Sequence, residues 1–203
     1  FVTFPMENQE LEATIQNFYN ISSFPGVIGT IDCTRIPIIS PGGQLGEMYR
    51  NRKSFFSLNV QTISDANLRI RDIVARWPGS VQDSMILIIS QRRMFFEKER
   101  IPRGLLLGNS GYPLKKYLLT PLLNPITPAE GNYNRAHIVT RNTVKRQYGL
   151  WKRRFLTLKL GHRTFLEHTM DIVATAVLPN IAIDTSDDDP LKIQYCNNPL
   201  RTR

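Results

Sequence analysis

The chain has few of the residues that build metal or disulfide frameworks. Its 203 residues include two cysteines, Cys33 and Cys196, and three histidines. The cysteines form no CxxC pair, so the sequence spells out neither a disulfide scaffold nor a zinc site. Cys33 lies in an apolar run and reads as a small buried hydrophobe. No uninterrupted apolar stretch is long enough to span a bilayer, and no signal peptide is visible. The chain starts at Phe1 and not at Met, which reads as the start of a fragment or a processed product. One local absence matters most: between Gly131 and Leu166 there is neither Asp nor Glu.

Positive charge is plentiful. Against 17 acidic residues stand 26 Lys and Arg, a net charge of +9. That balance favours an acidic partner such as nucleic acid, or describes a merely soluble basic protein, so placement decides more than the total. The acid-free segment carries Arg141, Lys145, Arg146, Lys152, Arg153 and Arg154. Arg141, Lys145 and Lys152 recur at helical spacing near one face, away from an apolar stripe of Val144, Tyr148, Trp151 and Phe155. Such a face suits phosphate contacts, whose strength falls steeply with salt. The other reading of the same run is a solvated helix face.

Hydrophobic periodicity gives the element order. Glu7–Tyr19 places Leu11, Ile15 and Phe18 at helical spacing and predicts a lead-in helix within residues 1–23. Val27–Ile38 is β-branched and apolar, a buried strand with one acid, Asp32, inside it. Phe55–Ser64 and Leu68–Arg76 alternate apolar with polar and predict two further strands, joined by the turn Asp65–Asn67 and closed by Trp77–Gly79. Short connections make these three an antiparallel meander. Val81–Glu99 has a helical period, with Ser80 as N-cap and Asp83 in the first turn. Leu105–Leu107 predicts a short strand and Tyr112–Gly131 an irregular stretch. Asn134–Phe155 reads as the longest helix, Leu156–Leu160 as another strand and Leu166–Val177 as a last helix. The order β-β-β-α-β-α-(β)-α predicts an α/β domain over residues 1–183, a mixed sheet covered by helices. Residues 184–203, polar and acidic at Asp187–Asp189, read as a mobile tail.

A carboxylate inside an apolar strand is costly unless hydrogen bonds or a metal compensate it. Asp32 is therefore either a buried acid bonded to backbone or neighbour, or a ligand for a hard divalent cation. Two-metal phosphodiester cleavage needs several acids converging where strands end. The companions should stand after the fourth strand and on a later helix. At the first place is Asn109; the later helix has no acid.

Ordered segments run along nearly the whole chain. They include Phe24-Pro-Gly-Val-Ile-Gly-Thr-Ile-Asp-Cys-Thr34, Tyr49-Arg-Asn-Arg-Lys53, Ser57-Leu-Asn-Val-Gln61 and Trp77-Pro-Gly-Ser-Val-Gln-Asp-Ser84. Further on come Leu106-Leu-Gly-Asn-Ser-Gly-Tyr-Pro-Leu114, Leu119-Thr-Pro121, Tyr133-Asn134 with His137 and Arg141, and Gly149-Leu-Trp-Lys-Arg-Arg-Phe155. Together they resemble the catalytic domain of the Harbinger transposase-derived nucleases, in the PIF/Harbinger branch of the DDE transposases. The resemblance implies an RNase H-like fold, Mg²⁺- or Mn²⁺-dependent attack on DNA phosphodiesters, a nuclear setting and a Myb/SANT-like protein partner. The family's first Asp falls on Asp32. Its second, in a Gly-Asp-x-Gly-Tyr-Pro pattern, falls on Asn109. Its Glu, in an Arg-x-x-x-Glu-Arg pattern, falls on Lys145. The family's His after Asp-x-Thr is Arg35 here, and its Leu-His-Asn reads Leu178-Pro-Asn180.

Asn109 could still offer one neutral oxygen to a cation, whereas the Lys145 ammonium would repel one. Asp83 is either a first-turn acid favoured by the helix dipole or a substitute ligand. Three functions follow as expectations. The first is a DNA-binding domain with impaired cleavage, its phosphates held by Arg141, Lys145, Arg146, Lys152, Arg153 and Arg154. The second is an active Mg²⁺-dependent DNA endonuclease that recruits Asp83 or another acid. The third is a non-catalytic nuclear scaffold for protein interactions.

Overall fold

The computed structural model describes residues 2–98, 104–161 and 169–184. Helix α1, Asn8–Ser22, buries Phe18 completely. It ends where Ser23 turns left-handed at φ 55° and its N–H bonds the Tyr19 carbonyl at 2.7 Å, a helix stop built on an αL residue. Strand β1, Val27–Pro37, follows. A short turn of helix, α2 (Gly43–Gly46), and a 3-10 turn at Glu47–Tyr49 lead to β2, Ser57–Ser64, and β3, Ile70–Pro78. Then come α3 (Asp83–Ile89), α4 (Gln91–Glu97), β4 (Leu105–Leu107) and β5 (Leu118–Leu119). Helix α5 (Pro128–Arg154), one turn of α6 (Thr157–Leu160) and α7 (Thr169–Asp184) complete the described elements.

The five strands form one sheet in the order β3-β2-β1-β4-β5. β1, β2 and β3 pair antiparallel, the meander expected from their short connections; β4 and β5 join in parallel beyond β1. This is a mixed sheet covered by helices, as an RNase H-like domain requires.

Side chains of β1 alternate between two helical layers, the period-two consequence of a pleated strand. Ile36 packs with Val60, Val144, Trp151, Leu158 and Ile172, under α5 and α7. Ile31 packs with Ile63, Leu87, Leu106, Tyr112 and Leu118 on the other face. β1 lies so close between its neighbours that a Cβ on Gly29 would sit 2.6 Å from Ile63 Cγ2, so no larger residue fits there. All eight residues of β2 are buried. Its polar members therefore need partners inside: Asn59 donates to the Val81 carbonyl at 2.8 Å, and Thr62 to the Tyr148 hydroxyl at 3.0 Å.

Several expected boundaries move. Val81–Glu99 is two helices, broken where Ser90 adopts an extended ψ of 142° and its hydroxyl accepts the Arg93 N–H. The residue before α3 is Gln82, with no side-chain cap, and not Ser80. The irregular stretch 112–131 contains β5, whose two residues pair with Leu106 and Leu107. α5 begins six residues earlier than Asn134, because Thr127 and Glu130 form a reciprocal capping box ahead of Pro128. The strand expected at Leu156–Leu160 is a correction. Its backbone closes helically, with Leu160 N–H on the Leu156 carbonyl at 2.9 Å, and only Leu158 of its leucines is buried. The last helix is observed at Thr169–Asp184, while its expected start at Leu166 and the tail from residue 185 lie outside the described residues.

Candidate functional site

Parallel pairing of β1 with β4 sets Thr30 beside Leu107. Two residues further on, Asp32 and Asn109 fall side by side on the same face. Asn109 Nδ2 donates to Asp32 Oδ1 at 2.8 Å, and the Cys33 N–H donates to the same oxygen at 2.9 Å. Helix α5 supplies the other side. Arg141 Nη1 donates to Asp32 Oδ2 at 3.2 Å, with both side chains about nine-tenths buried. The Tyr148 hydroxyl donates to the Asp32 carbonyl at 2.5 Å. At about 100° per helical residue, Arg141, Lys145, Tyr148 and Lys152 share one stripe facing β1. Tyr148 thus belongs to the basic stripe as well as the apolar one.

Burial is the first influence on the Asp32 carboxyl and pushes its pKa up. The Cys33 N–H and the Arg141 cation pull it down, the Asp83 carboxylate pushes it up, and the Lys145 cation pulls it down more weakly. Lys145 is therefore close enough for its charge to act on Asp32. The sequence expectation brings Asp32, Asn109 and Lys145 to one centre, and the structure places them there.

The residues present do not fit a divalent-cation centre. One carboxylate stands where three acids would be needed, and both its oxygens already accept donors. Asn109 turns its NH₂ toward Asp32, and its carbonyl oxygen accepts the Gly111 N–H at 2.7 Å, leaving the neutral ligand atom engaged. The Lys145 charge acts on the same carboxyl. Among the described residues no group of three His, Cys, Asp or Glu could hold a metal ion. Asp83 does not fill the gap. It opens α3 beneath the other face of β1, where its Oδ1 accepts Arg35 Nη1 at 3.2 Å and Asn59 Nδ2 at 3.0 Å.

The six expected phosphate ligands separate. Arg141 is buried against Asp32. Lys145 is exposed at the centre, while Lys152 is half-buried and donates to the Arg35 carbonyl at 2.8 Å. Burial lowers the Lys152 pKa to about 8. Arg146 and Arg153 lie about 120–140° round the helix from Arg141. Lys152, Arg153 and Arg154 occupy the last turn of α5, where cations complement the helix dipole. Cys33 is largely enclosed, its Sγ 3.3 Å from the Tyr112 hydroxyl, and burial raises its thiol pKa, which keeps it unreactive. His137, one turn before Arg141, is fully buried and its Nε2 lies 3.2 Å from the Leu119 carbonyl, tying α5 to β5.

Beside this centre β4 stops pairing at Thr30, so the rest of β1 borders an open cleft of about 770 Å³. Asn109 and Gly111 line one end; Arg52 and Lys53, Lys152 and Lys159, and Arg35 with Asp83 line the rest. Arg52 and Lys53 were not anticipated as site residues. They stand about a hundred positions from Lys152, and the only signal for them was the basic Tyr49–Lys53 segment.

The family described as DDE superfamily endonuclease matches residues 31–180. The protein named "Putative nuclease HARBI1" from Bos taurus is 33% identical over 193 residues, covering 93% of this chain and 55% of that protein. Its Rattus norvegicus counterpart is 34% identical over the same shares. "Protein ALP1-like" from Arabidopsis thaliana is 28% identical over 215 residues, 93% of this chain and 52% of that protein. The chain thus spans about half the length of the curated relatives it matches. No solved structure matches. Among the described residues no helix is long and apolar enough to cross a membrane.

Proposed function

This chain belongs to the DDE superfamily endonucleases, as a Harbinger transposase-derived nuclease, and on that premise we propose that it binds DNA in the nucleus and has lost metal-dependent cleavage. The observation that carries the reading is the centre Asp32–Asn109–Lys145: one carboxylate, an amide donating to it at 2.8 Å, and an ammonium whose charge reaches it. Arg141 is part of the family's own Arg-x-x-x-Glu-Arg pattern, so its ion pair with Asp32 does not by itself argue for loss. Lys145 does, because a cation in the position of a carboxylate ligand opposes metal at any occupancy of the other sites.

What the chain's own residues retain is the means to hold a phosphodiester. Lys145 and Lys152 face the strand ends on one stripe of α5, and a net charge of +9 steers polyanions toward the molecule. No hydrolytic step follows from these side chains, since none of them can take the place of the metal in activating water. The test is a paired assay. DNA binding is expected to persist in EDTA and to fall steeply with added salt, with no nicking of supercoiled plasmid in Mg²⁺ or Mn²⁺. Metal-dependent nicking that is abolished by Asp32→Ala would overturn it.

A further inference from the structure

The cleft beside Asp32 carries more charge than the centre needs. Arg52 and Lys53, both exposed, line it from the loop ahead of β2. Lys152 at the end of α5 and Lys159 on α6 line it as well. The single carboxylate lining the cleft, Asp83, is bonded to Arg35 at 3.2 Å. Among the described residues no carboxylate pairs with Arg52, Lys53, Lys152 or Lys159. Four cations therefore line one cleft with no carboxylate partner among the described residues, an arrangement that favours a bound anion. Phe55, half-buried, lines the same cleft and offers an aromatic surface.

Resting on the DNA-binding reading above, we propose that this cleft seats one unpaired strand of DNA, its phosphates held by Arg52, Lys53, Lys152 and Lys159 and a base against Phe55. Phe55 argues for one strand, because an unpaired base is free to stack on it whereas a base inside a duplex is already stacked and paired. A cationic groove with an aromatic side chain for base stacking is how proteins hold single strands without reading sequence. Asn109, which lines the cleft and donates to Asp32, joins it to the altered centre.

The experiment is a fluorescence-anisotropy titration of the 203-residue chain in EDTA over a salt series. The probes are a labelled oligothymidine and a blunt duplex of the same length. The unaltered chain is expected to bind the single strand at least as tightly as the duplex. Arg52→Ala with Lys53→Ala should weaken single-strand binding about tenfold and reduce the salt slope by about 1.4, two phosphate contacts at roughly 0.7 each. Lys159→Ala should weaken it less, and Lys115→Ala with Lys116→Ala, exposed residues outside the cleft, should bind as the unaltered chain. Unchanged thermal unfolding of each variant shows that the fold is retained. If the chain binds DNA but the cleft variants bind equally well, or if it binds duplex and not the single strand, the cleft assignment is overturned and the DNA reading stands. If it binds neither probe, both fall.

Discussion

Two residues at the centre hold cations against a buried surface, and they are held differently. Arg141 is neutralised by Asp32 across 3.2 Å. Lys152 donates to the Arg35 carbonyl and has no carboxylate partner among the described residues, and burial brings its pKa to about 8. An ordinary lysine keeps its charge to about pH 10.4. The sign follows directly. A lysine whose pKa is lower in the folded chain than in the unfolded one costs stability while it is charged. That cost shrinks as pH rises from 8 toward 10.4, where the folded chain has already released the proton. DNA binding moves the other way, because the phosphate contact needs the charge. Affinity for the single strand should drop about two- to fivefold between pH 7 and 9, with the salt slope falling by about 0.7. Lys152→Arg, which cannot lose its proton in that range, should flatten the pH profile. A pH-independent affinity in the unaltered chain would remove Lys152 from the contact.

At the scale of elements, α5 does most of the positioning. It carries His137, Arg141, Lys145, Tyr148 and Lys152 past β1, and a reciprocal cap closes its first turn. Thr127 Oγ1 accepts the Glu130 N–H at 3.3 Å while Glu130 Oε2 accepts the Thr127 N–H at 2.8 Å. Those bonds hold the Glu130 carboxyl below its ordinary pKa. Thr127→Ala should cost about 1 kcal/mol in a denaturant titration while leaving DNA affinity nearly unchanged, since Trp151, fully buried, anchors the far end of the helix through its indole N–H to the Thr175 carbonyl at 3.0 Å. A loss of binding as large as the loss of stability would mean that the first turn, and not the packing of Trp151, aligns the basic stripe.

The same elements show what could be read before the structure. β1 to β3 were legible because each carries its own pattern and the turns between them are short. Leu105–Leu107 was legible as a bounded apolar run. β5 was not, because two residues have no periodicity; tertiary pairing with Leu106 and Leu107 makes it a strand. Leu156–Leu160 misled for a related reason. Its apolar residues satisfy either period, and the local bond from Leu160 N–H to the Leu156 carbonyl decides for helix. At the site, Asp32, Asn109 and Lys145 could be named from motif positions alone. The role of Arg141 could not, since spacing along a helix does not reveal which strand it faces. The cleft could not either, because its walls come from segments far apart in the chain.

The whole molecule combines an α/β fold of the DDE superfamily endonucleases with a centre whose one carboxylate, Asp32, sits among donors and cations. Asn109, just past β4, and Lys145, on α5, stand outside the buried clusters that hold the sheet to its helices. The loss of metal binding proposed above therefore need not disturb the packing around the centre. Charge is distributed to match. Asp32 is enclosed by donors and cations, and the cleft beside it is lined by four cations without carboxylate partners among the described residues. Restoring two acids should restore a cation site without rebuilding the fold, because Asn109 and Lys145 already stand at the right places around Asp32. The direct test is a calorimetric Mn²⁺ titration of the unaltered chain beside the Asn109→Asp, Lys145→Glu double variant. The unaltered chain should give no binding heat up to millimolar metal, and the double variant should bind Mn²⁺ and unfold at a higher temperature in its presence. Saturable Mn²⁺ binding by the unaltered chain, lost on Asp32→Ala, would contradict the account.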